Sequence, residues 1–258
     1  MSRPMHPERR PAVVTGASSG IGAATAMALA GRGLPVALGA RRVAECEEVA
    51  AQIRAAGGEA VSLPLDLTDE TSVRTFAEKA EAELGPVEVV VSNAALLSPG
   101  RIHETDTAQF AAELDVNVLG AHRMIRAFVP GMVGRSRGDI VLVSSDVAVR
   151  SRPFMSAYTA SKWALEGMVQ AMQMELEGSG VRVSVVRPGP TWTGMGLDWG
   201  ADDTAMVLEG WSRFGHARHS QFLPPEAIAD AVTDVVTAAR GVHRALVEVN
   251  PEPPVEDA

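Results

Sequence analysis

Residues 12–22 read AVVTGASSGIG, and this stretch decides the fold. A short β-branched run ends at Thr15, glycines follow at positions 16, 20 and 22, and the Ala-rich segment IGAATAMALAGRG then takes on helical character. Strand, glycine turn and helix in that order make a βα unit whose turn lets another group come close to the backbone. Bare backbone N–H groups at a helix N-terminus suit a pyrophosphate. The spacing is GxxxGxG rather than GxGxxG, and glycine turns also serve plain strand–helix packing.

Outward from this unit the alternation repeats. PVALGA, AVSLPLD, VEVVVSNA, DIVLVSS, VRVSVVRPG and HRALVEV are apolar strand runs separated by helical stretches. Continuous apolar strands between helices predict a doubly wound parallel sheet of about seven strands, covered on both faces. Gly31, Gly57, Gly85 and Gly134 stand where helices should stop. Phe110, Leu114, Val118 and Ile125 recur at helical spacing and predict a buried stripe. A single domain over 11–250 is expected, with a loose basic arm at 1–10 and a flexible Pro-rich acidic tail at 251–258.

The 258 residues carry a formal charge of −9, and 46% are hydrophobic. Enough apolar surface exists for one large core, and an acidic chain is a poor partner for nucleic acid. Cys46 is the sole cysteine, which excludes intrachain disulfides and cysteine metal cages. The first ten residues are charged with no apolar run behind them, and no stretch approaches the ~18 apolar residues of a membrane span. A cytoplasmic protein without membrane attachment is the expectation.

Tyr158 is the only tyrosine, in SAYTASKWALEG, with Lys162 four residues later. On a helix the two share a face about one turn apart. A free phenol titrates near 10, and a nearby ammonium lowers that value. The pair therefore predicts a tyrosine usable as an acid or base, with a depressed pKa.

TGASSGIG, SNAA after the fourth strand, Asn117-Val-Leu-Gly, VSS at 143–145, YTASK and RPGPTWT follow one another in an order and spacing that resembles the short-chain dehydrogenase/reductase family. The resemblance covers roughly residues 11–250. It implies a Rossmann-like domain and hydride transfer between a nicotinamide cofactor and a carbonyl or alcohol. Ser145 would bind the substrate oxygen, Tyr158 would move the proton, Lys162 would tune the phenol and hold the nicotinamide ribose, and Asn117 would hold a water leading to solvent. Gly16, Ser18, Ser19, Gly20, Ile21 and Gly22 would cradle the cofactor, with Asp66 and Leu67 at the adenine and Asn93 and Ala94 near the adenosine ribose. Pro188, Gly189, Thr191 and Thr193 would lie near the nicotinamide and phosphates.

The second strand ends LGARR, where NAD-preferring relatives of this kind carry an acidic residue. Ala40, Arg41 and Arg42 stand there instead, and a guanidinium pair suits a 2′-phosphate. NADP(H) is therefore predicted over NAD(H), although Ser19 replaces a basic residue of many NADP-preferring relatives. The alternatives are an NAD(H)-preferring dehydrogenase and a cofactor-sensing regulatory protein without turnover. The resemblance also implies a homotetramer or homodimer acting on a small carbonyl or alcohol.

Asp146, directly after Ser145, departs from the family pattern and reads as a solvated loop carboxylate that could alter substrate preference. Residues 191–222 form the substrate segment, in which Trp192, Trp199, Trp211, Met195, Met206, Phe214 and Phe222 read as an apolar lid or as lid packing. His216 and His219 lie three apart without acidic or cysteine partners, so no metal is expected.

Overall fold

The computed structural model describes residues 6, 9–196, 199–216 and 220–254. Seven parallel strands run β1 (Ala12–Thr15), β2 (Val36–Ala40), β3 (Ala60–Pro64), β4 (Val89–Ser92), β5 (Gly138–Val143), β6 (Val181–Pro188) and β7 (Leu246–Val249). Their spatial order is β3-β2-β1-β4-β5-β6-β7. The predicted doubly wound Rossmann-like sheet is the observed one. The order of winding reverses between the parallel neighbours β1 and β4, and open α/β sheets bind ligands at such a switch point, here beyond Thr15 and Ser92.

Valines and alanines of β1 and β4 are fully buried because helices cover both faces. On one face α1 (Gly20–Gly31), α2 (Val43–Ala55) and α8 (Pro225–Thr237) pack through Leu29, Ile53 and Val232. On the other, α3 (Glu70–Leu84), α5 (Gly120–Gly134) and α6 (Ser156–Glu175) bring in Phe76, Phe128 and Val169. Met172 is buried in that second core and Met168 packs against it, so these two α6 methionines serve the chain's own interior.

The anticipated stripe on the fourth helical region is displaced. Between α4 (Thr107–Leu114) and α5 the backbone widens into a π-helical turn at Asp115–Leu119. Phe110, Leu114 and Val118 are only half-buried, while Glu113, Asn117 and Gly120 face inward. Wide turns of this kind re-aim side chains without breaking the helix, and they are frequent at functional sites.

The basic arm is tied down over its last described residues. Arg10 is buried and pairs with Asp139 on β5, and its Nη1 donates to the Val236 carbonyl on α8 at 2.8 Å. Arg182 also pairs with Asp139 at 2.6 Å, and Arg9 holds Glu59 at 2.7 Å. Acidic partners far along the chain thus turn a nominally loose end into the seal on the lower edge of the sheet. No described helix is long and apolar enough to cross a membrane.

Candidate active site

The glycine turn and the end of β4 are clasped together. The Thr15 hydroxyl accepts from the backbone N–H groups of Asn93 and Ala94 at 3.0 Å, and Asn93 Nδ2 donates to the Thr15 carbonyl at 3.0 Å. Gly16 has φ +67°, and a Cβ there would lie 2.9 Å from Ala94 Cα. A Cβ on Gly22 would lie 2.2 Å from the Gly16 carbonyl oxygen. Both positions require glycine, and the turn stays low enough for a phosphate to meet the start of α1 at Ser19, Gly20 and Ile21. The resulting cradle fits a dinucleotide.

Ser18 and Ser19 are already engaged from below. Arg42 donates to the Ser18 hydroxyl at 3.0 Å and to that of Ser19 at 2.9 Å, bridging the end of β2 to the glycine turn. Arg41 lies close enough to Asp66 to favour its charged form, although the Thr68 hydroxyl and N–H, at 2.7 and 2.9 Å, do more to hold that carboxyl below its ordinary range. Leu67 packs under Gly120. Thr193 packs on Gly20, where an added Cβ would stand 3.3 Å away. The Thr191 hydroxyl donates to the Gly189 carbonyl at 2.9 Å, fixing the loop after Pro188. Contacts thus bring Thr193 to the glycine turn, Leu67 to Gly120 and Arg41 towards Asp66 from distant parts of the chain.

Tyr158 and Lys162 lie on the buried face of α6, and Ser145 lies at the end of β5 opposite them. The Ser145 hydroxyl lies near enough to the phenol to favour its charged form. Lys162 Nζ donates to the Val143 carbonyl at 2.8 Å and sits 5.4 Å from the centre of the Tyr158 ring. Burial pushes the phenol up to about 12 and the ammonium down to about 8. Burial thus acts against the depressed phenol expected from the sequence, since desolvation outweighs stabilisation of the phenolate.

Asn117 is held at three points within the π-helical turn. Its Oδ1 accepts from Leu96 N–H at 2.7 Å, and its Nδ2 donates to the Leu96 carbonyl and the Ser161 hydroxyl, both at 2.9 Å. Ser161 in turn donates to the Tyr158 carbonyl at 2.7 Å. The asparagine and the tyrosine are thereby joined through a residue the motif reading did not single out.

With this geometry in place, comparison with known proteins is direct. Residues 10–204 match the short chain dehydrogenase family. The chain is 31% identical to 2,3-dihydro-2,3-dihydroxybenzoate dehydrogenase of Bacillus subtilis over 91% of each chain. It is 36% identical over 94% of its length to glycine betaine reductase of Emericella nidulans, of which it spans only 18%. An alcohol dehydrogenase from Thermococcus sibiricus, solved with 5-hydroxy-NADP, superposes with a TM-score of 0.82 at 30% identity, over 97% of this chain and all of the other.

The chain belongs to the short-chain dehydrogenase/reductase family.

It is accordingly an oxidoreductase of alcohol and carbonyl groups that uses NAD(P). Several residues of this dehydrogenase lay outside the sequence reading. Glu113 is fully buried one turn before Asn117, accepts from Ser98 N–H at 2.9 Å, and leaves Oε2 without a partner among the described residues. Burial raises its pKa to about 7. Glu166, one turn after Lys162, accepts from Ser144 at 2.8 Å and from Arg187 at 2.7 Å. A carboxylate four residues beyond the YTASK lysine was the available signal, since helical spacing places it on the same face.

Asp146 is corrected outright. It is buried rather than solvated, pairs with Arg152, and accepts from the Ser145 hydroxyl at 3.2 Å. Arg152 lies 4.8 Å from the centre of the Trp211 ring on α7 (Ala201–Arg213). Val207 of the same helix joins Tyr158, Val147 and Met155 in an apolar cluster that also takes in Trp199, Trp211 and Phe154. Part of the predicted lid thus packs on the tyrosine. Trp192 instead stacks on Phe222, 4.7 Å between centres, and Phe214 and Met195 are exposed. His219 lies outside the described residues, and no described acid, histidine and cysteine side chains cluster as a metal site would. Two cavities of about 190 and 140 Å³ lie at the lower edge of the sheet and between α1 and α2, away from these residues.

Proposed function

We propose that this enzyme is an NADP(H)-dependent oxidoreductase that interconverts a carbonyl and a secondary alcohol, with Tyr158 moving the proton. The observation that carries the reading is the burial of Tyr158 and Lys162 on one face of α6, 5.4 Å from Nζ to the ring centre, with buried Ser145 near the phenol.

When bound, the nicotinamide cofactor supplies or accepts the hydride. Ser145 donates a hydrogen bond to the substrate oxygen and stabilises its negative charge. In reduction Tyr158 gives its proton to that oxygen, and in oxidation it takes the proton back. Lys162 would hold the nicotinamide ribose and favour the phenolate once it leaves the Val143 carbonyl. Asn117 fixes the Leu96 loop and, through Ser161, the backbone of Tyr158. Gly16, Gly20 and Gly22 would admit the pyrophosphate, with Asp66, Leu67, Asn93 and Ala94 at the adenosine side and Pro188, Gly189, Thr191 and Thr193 at the nicotinamide side.

NADP(H) is favoured over NAD(H) because Ala40 leaves no carboxylate at the end of β2, while Arg42 joins Ser18 and Ser19 in a donor-rich corner. The Thermococcus sibiricus relative was solved with an NADP derivative. Exposed Leu119 and Trp163 beside the Asn117 and Tyr158 segments support a homodimer or homotetramer. A cytoplasmic setting, in which Cys46 stays reduced, belongs to the same proposal.

Turnover of a panel of ketones and secondary alcohols with NADPH, NADP, NADH and NAD tests the reading. Activity that persists in Tyr158→Phe sinks the assignment of the proton, and a clear NADH preference sinks that of the cofactor.

A further inference from the structure

Three buried donors lie in and against the apolar cluster that contains Tyr158. Arg152 Nε, Trp199 Nε1 and Trp211 Nε1 are buried without a hydrogen-bond partner among the described residues. All three groups can only donate. The two indoles pack on the apolar cluster that contains Tyr158, and Arg152 lies over the Trp211 ring. Leaving a buried donor unmet costs about 1–3 kcal/mol, more for a charged group, so three in one place point to a ligand that accepts.

The lining also bears on the ligand's charge. Arg152 is locked on one edge by Asp146, and both side chains are about nine-tenths buried. Its Nε is the unmet donor, and the Trp211 face that could have received a cation is already covered by the guanidinium. A planar anion is the partner that a guanidinium fork and neighbouring N–H groups recognise best. Asp146 bonds to both Ser145 and Arg152, so the guanidinium stands two hydrogen bonds from the serine hydroxyl. An anion bound there lies only a few bonds from an oxygen held by Ser145.

We propose that Arg152, with the indole N–H groups of Trp199 and Trp211, is the specificity-determining element of the pocket, and that the substrate carries a carboxylate near its reactive carbonyl. This rests on the reading that Ser145 and Tyr158 act on that carbonyl. Asp146 holds one nitrogen of the Arg152 guanidinium and leaves Nε for that carboxylate.

The test compares 4-acetylbenzoate with 4-acetylbenzamide, and 4-oxopentanoate with 4-oxopentanamide, using NADPH. The wild-type enzyme prefers the acids in kcat/KM by at least about tenfold, the weight of one charged hydrogen bond. Arg152→Gln abolishes the preference, with kcat/KM for the acids falling, through KM, by at least about tenfold more than that for the amides, and Arg152→Lys restores part of it. Should Arg152→Gln fail to fold, Trp211→Phe keeps the ring, removes the N–H and lowers the acid preference. Reduction of the amides with no acid preference, or a preference untouched by these variants, overturns the carboxylate assignment and leaves the oxidoreductase reading standing. If no ketone turns over, that reading fails, and calorimetric titration with benzoate and benzamide still decides the assignment, since equal affinity defeats it.

Discussion

Lys162 and Tyr158 share one face of α6, yet the ammonium is spent on the Val143 carbonyl, 2.8 Å away, and lies 5.4 Å from the centre of the tyrosine ring. The phenol is thereby left to desolvation, which raises it to about 12. Because Tyr158 is the only tyrosine, near-ultraviolet titration of the cofactor-free protein reports on it alone. No tyrosinate should form on the folded protein near the ordinary value of about 10. An inflection at or below that value would show that Lys162 reaches the hydroxyl without cofactor.

Lys162 itself gives a stability prediction with a definite sign. Its folded pKa, about 8, lies below the ordinary 10.5, so between those values the unfolded chain binds the extra proton. Stability contributed by this group is lost as pH falls through 8 and grows towards 10.5, with a slope of at most about 1.4 kcal/mol per pH unit. Denaturant titrations of wild type and Lys162→Met across that window should differ in slope, the variant lacking the rise. Parallel curves would mean that the ammonium is well solvated in the folded state.

Glu113 behaves in the opposite sense. Its pKa is raised from 4.5 to about 7, so the folded chain holds the proton more tightly, and the benefit is lost as pH rises through 7. Glu113→Gln should raise the melting temperature at pH 8 by a few degrees and leave it nearly unchanged at pH 4.5. A loss of stability at pH 8 would mean that the carboxylate has a compensating partner.

Arg42 should govern the choice between nicotinamide cofactors. Arg42→Ser removes the guanidinium that bridges Ser18 and Ser19. KM for NADPH should then rise about tenfold or more while KM for NADH changes little, as expected for loss of one charged contact to a phosphate. Equal losses with both cofactors would make Arg42 a brace for the glycine turn.

The strands and the glycine turn were legible because each announces itself locally. Seven apolar runs such as AVVT and VVVS need only their own composition to be recognised, and TGASSGIG needs only its glycines. The inward face of the Asn117 region was not legible, since Glu113 is buried in place of Phe110 and Leu114 on α4, and the widened turn at Asp115–Leu119 then brings Asn117 rather than Val118 inward. Asp146 and Arg10 were misjudged for a related reason. A charged residue reads as solvated until its partner is known, and the partners here, Arg152 and Asp139, are supplied by tertiary contact. The lid was half visible: aromatic content marked it, while the choice of Trp211 to stack under Arg152 and Trp192 on Phe222 is set by packing alone.

The fastening at Arg10 bears on how the protein is made. Its two partners lie 129 and 226 positions further along the chain, so a growing chain emerges from the ribosome with its first strand ready and its base still open. Arg10 must stay hydrated until α8 has been synthesised, which makes closure of the lower edge a late event. A purification tag fused close before Arg10 would load that closure, whereas one placed after the acidic tail leaves it free. The residue that begins the fold is thus among the last to be locked.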